Sequence, residues 1–186
     1  MKSILSAIAI ASGGVMALAS LGAHAADGTI TFIGTVSDTT CSINGTASGT
    51  SADKSVTLAP VPTGSLAAAG AVAGTSSPTD LQLSLTGCSG AATKAIAHFE
   101  NGPTVDQSNG YLKNSGGTAG NVEIRLLNAQ MQPINVTTNS NNQLATNAAT
   151  ITGGAATLQY FAQYYATGAA QAGTVNTSVQ YTMQYQ

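Results

Sequence analysis

Few side chains in this sequence could do chemistry. Beyond residue 25 there is a single histidine, His98 in "AIAHFEN", and two cysteines, Cys41 and Cys88. Nucleophilic catalysis needs a base within hydrogen-bond reach of the nucleophile, and that base is usually histidine. His98 stands in a strand-like run with no partner signalled, so it reads as structural. Glycoside hydrolysis would need two strand-borne carboxylates facing one cleft. Glu100 and Glu123 are available, but no spacing links them. Asp106, in "TVDQSNG", reads as a turn residue. No glycine-rich loop follows a strand and opens a helix, so no phosphate site is signalled. There is no Cys-x-x-Cys, and one histidine is too few for a metal set. No catalytic, cofactor or metal site is expected, and the chain reads as a non-enzyme.

The cysteines point to a compartment. Lys2, the apolar stretch "ILSAIAIASGGVMALASLGA" and the small-x-small triplet "AHA" at 23–25 have the form of a signal peptide, 1–25. In an exported chain an even cysteine count suggests a disulfide, and two cysteines allow one internal pairing. A Cys41–Cys88 bond would close a loop of 47 positions. Loop entropy puts its stabilisation at about 4 kcal/mol.

The 161 residues after the signal suffice for one domain. They hold four basic residues (Lys54, Lys94, Lys113 and Arg125) and seven acids. With no basic patch to neutralise phosphates, nucleic acid is not an expected partner. A surface of Thr, Ser, Asn, Gln, Gly and Ala carries little of the charge that keeps monomers apart.

The elements that must position these residues are strands. "TITFIGTV" (29–36), "SVTLAPV" (55–61), "DLQLSLTGC" (80–88), "AIAHF" (95–99), "NVEIRLL" (121–127) and "ATLQYFAQYYA" (156–166) are strand-like, most of them alternating apolar and polar or small residues. Turn-forming clusters such as "NSGGTAGN" separate them. The pattern predicts an antiparallel sandwich or barrel. Pro60 marks its run as an edge or a break. "GSLAAAGAVAG" (64–74) allows at most a turn or two of helix between its prolines and glycines. The aromatics of 156–166 read mainly as core; a carbohydrate-stacking surface is the rival reading.

The last fourteen residues, "GTVNTSVQYTMQYQ", predict a strand with Val179, Tyr181, Met183 and Tyr185 on its core face. A terminal strand of this kind is an open edge unless another strand covers it.

Taken together, "GTITFIGTVSDTTCSI", "SVTLAPVPTGSLAAAG", "LQLSLTGC", "AGNVEIRLLN" and "YATGAAQAGTVNTSVQYTMQYQ" resemble chaperone–usher pilus subunits, most closely type 1 fimbrial major pilins. The last stretch is the most specific, with Gly173 fourteenth from the end and Tyr185 penultimate. The resemblance implies an incomplete immunoglobulin-like sandwich that lacks its last strand. A donor strand from a neighbouring subunit or a chaperone would complete it; strand addition between chaperone and pilin is a recognised binding mode. It divides the chain into a signal peptide (1–25), a donor extension (26–37) and a pilin domain (38–186). It makes Ile30, Phe32, Gly34 and Val36 the donor face. It makes Gly173, Val179, Tyr181, Met183, Tyr185 and Gln186 the acceptor groove and chaperone-binding strand, with the Gln186 carboxylate anchored in the chaperone cleft. The implied partners are identical subunits, a periplasmic chaperone and an outer-membrane usher. The implied location is a cell-surface fimbrium of a Gram-negative bacterium. A minor adaptor subunit and a secreted carbohydrate-binding sandwich are the alternatives.

Overall fold

Alternating apolar residues draw out four long strands, and these form the frame. The computed structural model describes residues 30–34, 36 and 38–186. The expected signal peptide, and positions 26–29, 35 and 37 of the expected extension, lie outside the described residues. In chain order the strands are β1 (Ser42–Ile43), β2 (Val72–Ala73), β3 (Leu81–Thr86), β4 (Lys94–Phe99), β5 (Leu112–Lys113), β6 (Val122–Leu127), β7 (Pro133–Ile134), β8 (Ala149–Thr150), β9 (Ala156–Ala166) and β10 (Tyr181–Tyr185). A 3-10 turn (Thr63–Leu66) and a single helical turn (Leu144–Asn147) are the helical pieces among the described residues.

All strand pairs are antiparallel. One sheet has the order β1-β3-β9-β6-β5, with β2 also on β9 and β7 also on β6. The other has the order β10-β4-β8. Leu83, Leu85, Leu126, Leu158 and Ala162 from the first sheet meet Ala95, Ala97 and Phe99 from the second in one core. Tyr160 ties the layers together. Its ring packs edge-on to Phe99 with centroids 5.0 Å apart, and its phenol oxygen accepts the Ala97 N–H. Asn142, almost fully buried, donates its side-chain amide to the Ala97 carbonyl. These two side chains satisfy β4 where β8, paired only with Lys94 and Ala95, does not reach.

Cys41 and Cys88 are disulfide-bonded. The bond joins the chain just before β1 to the chain just after β3, and the Ser89 N–H donates to the Thr40 carbonyl beside it.

Two expected strands are not strands here. Residues 30–34 and 36 join no ladder, and Ile30, Phe32, Ile33 and Val36 are exposed at 81%, 90%, 94% and 100%. Residues 51–61 likewise join no ladder, although Val56 and Leu58 are half-buried against the core. A strand is defined by its partner, and sequence alternation alone supplies none. The described residues from Val36 onward form one compact unit.

Candidate functional site

The second sheet has an edge that pairs with nothing among the described residues. β10 bonds to β4 in the register Tyr181↔Phe99 through Tyr185↔Ala95. Lys94 and Gln186 exchange both backbone hydrogen bonds, and the Glu100 N–H donates to the Gln180 carbonyl. Antiparallel pairing alternates residue by residue. Residues 180, 182, 184 and 186 therefore face β4 with their backbone groups. Val179, Tyr181, Met183 and Tyr185 turn theirs to the open edge. The same four residues put their side chains on the core, because burial alternates half-buried and exposed from Val175 to Gln186. Unpaired backbone and apolar side chains thus coincide on one row of residues.

Beside this edge runs a groove of about 1250 Å³. Its rims are the segment 50–58 and the segment 175–185. Its floor is the core itself, including Leu83, Phe99, Leu126, Tyr160, Ala162 and Tyr164. Val56, Leu58, Val175, Val179, Tyr181, Met183 and Tyr185 are half-buried on the rims. A smaller apolar pocket of about 390 Å³ continues the groove past Leu58, Tyr164 and Val175. Burial pushes the Tyr160 phenol up to about 12, and pushes the Tyr185 phenol up as well. The floor of the groove is apolar, while Asp53, Lys54 and Glu100 stand on its walls.

Gly173 has a definite task. A Cβ there would strike the Ala119 amide, and would come 2.6 Å from the Thr118 carbonyl carbon. The Thr174 carbonyl accepts the Ala119 N–H, and the Asn176 carbonyl accepts the Gly116 N–H. Thr104 donates its hydroxyl to the Ser178 carbonyl. Residues 174–178 are therefore bound to loops rather than to a ladder, which explains why the strand assignment starts only at Tyr181. Gly173 allows the backbone approach that begins this path.

Gln186 closes the other end. Its backbone oxygen accepts from the Thr93 and Lys94 N–H groups. The expected donor residues stand apart in character. Ile30, Phe32 and Val36 are exposed apolar side chains, and nothing lies within 4 Å of a Cβ built on Gly34.

The chemistry-bearing residues do not converge. His98 Nδ1 is buried without a hydrogen-bond partner, so no third group orients the ring. Glu100 sits on the groove wall. Glu123 is buried on β6, opposite Lys113 on β5. Its Oε2 accepts from Asn109 Nδ2 at 2.7 Å. Burial raises its pKa, and the neighbouring Asp106 carboxyl raises it further. Asp106 is held below its ordinary value, first by the Ser108 hydroxyl, then by the Ser108 N–H. The turn at Asp106 matches the sequence reading. Its pairing with Glu123 across seventeen residues carried no sequence signal. Nor did the bond between Tyr181 and Ala52, in which the phenol donates to the carbonyl at 2.7 Å.

Known proteins carry the same plan. Residues 61–186 match the family described as FimA, type-1 fimbrial protein A. The chain is 43% identical over 176 residues to the major fimbrial subunit SMF-1 of Stenotrophomonas maltophilia, covering 92% of this chain and 99% of that one. It is 39% identical to the F17 fimbrial protein of Escherichia coli, covering 93% and 96%. Among solved structures, the P pilus rod subunit PapA superposes with a TM-score of 0.54 at 22% identity, covering 78% of this chain and 99% of PapA. That likeness shows the immunoglobulin-like pilin fold. With its short second sheet, its cysteine bridge between β1 and β3, and sequence identity along nearly its full length, the chain belongs to the type-1 fimbrial protein family.

Proposed function

We propose that this protein is a structural subunit of a cell-surface fimbrium and polymerises by strand exchange. Segment 30–36 of one copy enters the groove of the next. One observation carries the reading: Val179, Tyr181, Met183 and Tyr185 offer unpaired backbone and core-facing side chains on the same row. Ile30, Phe32 and Val36 supply matching apolar side chains at a spacing of two, or four across Gly34. Each such side chain adds at most roughly 1.5–3 kcal/mol on burial. Each ladder bond adds about 0.5–1.5 kcal/mol. The total is comparable to the stability of a whole domain, about 5–15 kcal/mol. Completing the fold and joining the polymer are then one event.

A subunit with an open apolar edge is prone to wrong pairings before that event. A periplasmic chaperone strand would cover the edge first, with the Gln186 terminus in its cleft. An outer-membrane usher would then pass the subunit outward. In this reading residues 1–25 are a signal peptide, 26–37 the donor extension and 38–186 the pilin domain. No catalysis is assigned, since His98, Glu100 and Glu123 form no joint site. None of the six tyrosines is fully exposed. That counts against a carbohydrate-stacking platform, the rival function.

The test is a deletion of residues 26–36, expressed in the periplasm with and without a pilus chaperone. The expected result is chaperone-dependent solubility and no polymer. A soluble monomer without chaperone would support the carbohydrate-binding alternative. Electron microscopy of cells expressing the full chain separates a shaft subunit, abundant along the fibre, from a minor adaptor.

A further inference from the structure

Tyr181 does more than line the groove. It belongs to β10, one rim, and its phenol donates a 2.7 Å hydrogen bond to the carbonyl of Ala52 on the other rim. The two residues are 129 positions apart in sequence. Ala52 is buried, and the Tyr181 ring packs half-buried against the core. The side chain therefore crosses the width of the groove. A tyrosine with its hydrogen bond reaches about as far as two strand spacings, roughly 9.5 Å, the gap that one inserted strand would fill.

Among the described residues, 51–61 make no backbone–backbone hydrogen bond. That rim is open to pairing with an inserted strand. At Ala52 the phenol already holds the acceptor. Tyr181 is, in addition, one of the four residues that turn their own backbone groups toward the gap. The phenol takes one of the two lone pairs of the Ala52 carbonyl and ties the rims across the gap.

We infer that the Tyr181 hydroxyl gates strand uptake: its bond to Ala52 ties the two rims together before a strand enters and must break for the rims to part around it. This rests on the strand-exchange reading above. The gate works through one neutral hydrogen bond, so its effect is on rate and is modest. Breaking it early in insertion slows uptake by about two- to ten-fold, the worth of one net hydrogen bond.

The test compares the full chain with Tyr181→Phe, which keeps the ring and its packing. Both are refolded with the disulfide intact and mixed at high dilution with excess fluorescent peptide spanning residues 26–38. Tyr165→Phe, the same change at a tyrosine outside the groove lining, is the control. The expected result is uptake by Tyr181→Phe two- to ten-fold faster than wild type, with Tyr165→Phe unchanged. Equal or slower uptake by Tyr181→Phe overturns the gate; slower uptake would make the hydroxyl a strut that holds the rims apart. No uptake by any of the three proteins overturns the strand-exchange reading and the gate with it. If Tyr181→Phe refolds poorly, the comparison is made with Tyr181→Met, which also lacks the hydroxyl and adapts to the core; equal or slower uptake by it overturns the gate.

Discussion

The Tyr160 phenol oxygen lies 3.1 Å from the Ala97 amide nitrogen and accepts its hydrogen, joining β9 to β4 across the sandwich. Ala97 is completely buried, so no water can replace the phenol. Tyr160→Phe keeps the edge-on contact with Phe99 and removes only this acceptor. A buried N–H left unpaired costs about 1–3 kcal/mol. Guanidinium unfolding of the subunit, filled with the 26–38 peptide, should show a loss of that size with an unchanged m-value.

Glu123 and Asp106 give the subunit a pH signature. The Glu123 pKa is raised, first by burial. Its stabilising contribution is therefore complete below its unfolded value, near 4.5, and is lost as pH rises through the folded value. Asp106 is lowered, first by the Ser108 hydroxyl. Its contribution is present above 3.8 and is lost as pH falls through its folded value. Lys113, opposite Glu123, favours the charged form of both acids. The pair thus supports the fold best in the interval between the two ordinary values. Glu123→Gln is neutral at every pH and can still accept from Asn109. Melting temperatures taken from pH 4 to 8 should decline less for Glu123→Gln than for the wild type. Parallel curves would show that Glu123 titrates alike in the folded and unfolded states.

Much of the frame was legible in the sequence because alternation and burial agree there. β3, β4, β6 and β9 fall within a residue or two of the stretches 80–88, 95–99, 121–127 and 156–166. The misses have a common cause. Segments 29–36 and 55–61 alternate as strands do, yet a ladder needs a neighbour, and residue order does not specify one. The terminal run alternates from Val175 onward, but Gly173 and Thr174 lead it into loop contacts before β4 takes over. The Tyr181–Ala52 bond, and the nearness of the Asp106 and Glu123 carboxyls, join residues that only the folded topology brings together. Periodicity marks the groove-facing row of β10; it says nothing of what stands on the other rim.

Gly173 should be intolerant of any side chain. A Cβ at that position meets the Ala119 and Thr118 backbone first, and then the Thr118 hydroxyl. Overpacking of this kind costs typically about 1–3 kcal/mol. Gly64, with open space around it, is the matched control. Gly173→Ala should lower the yield of soluble subunit and its thermal midpoint, while Gly64→Ala leaves both in place. If Gly173→Ala matches Gly64→Ala, the 114–119 loop yields easily and the glycine is not required.

The disulfide should matter most before the groove is filled. It closes a loop of 47 positions, for about 4 kcal/mol in the loop-entropy model. A subunit without a donor strand has little stability to spare, so Cys41→Ser with Cys88→Ser should fail to accumulate. A strand in the groove adds stability of comparable size and should rescue part of the loss. The measurement is soluble yield of the double variant with and without the 26–38 peptide. Equal loss in both conditions would mean that the bond and the donor stabilise independent parts of the fold.

Gly34 separates giving a strand from receiving one. Its own surroundings tolerate a side chain, since nothing lies within 4 Å of a built Cβ. Gly34→Asn should therefore leave the subunit's fold and its groove intact. In the groove of a neighbour the same residue would sit between Phe32 and Val36, facing a floor of packed side chains such as Tyr160 and Tyr164. A polar side chain there needs space and a hydrogen-bond partner, and an unpartnered buried amide costs about 1–3 kcal/mol from mutational data. The variant should take up wild-type 26–38 peptide at the normal rate. Its own 26–38 peptide should not enter the wild-type groove, and cells expressing it alone should lack fibres. Normal fibres from Gly34→Asn would mean that the glycine stays outside the packed part of the joint, and that Ile30, Phe32 and Val36 hold the strand without it.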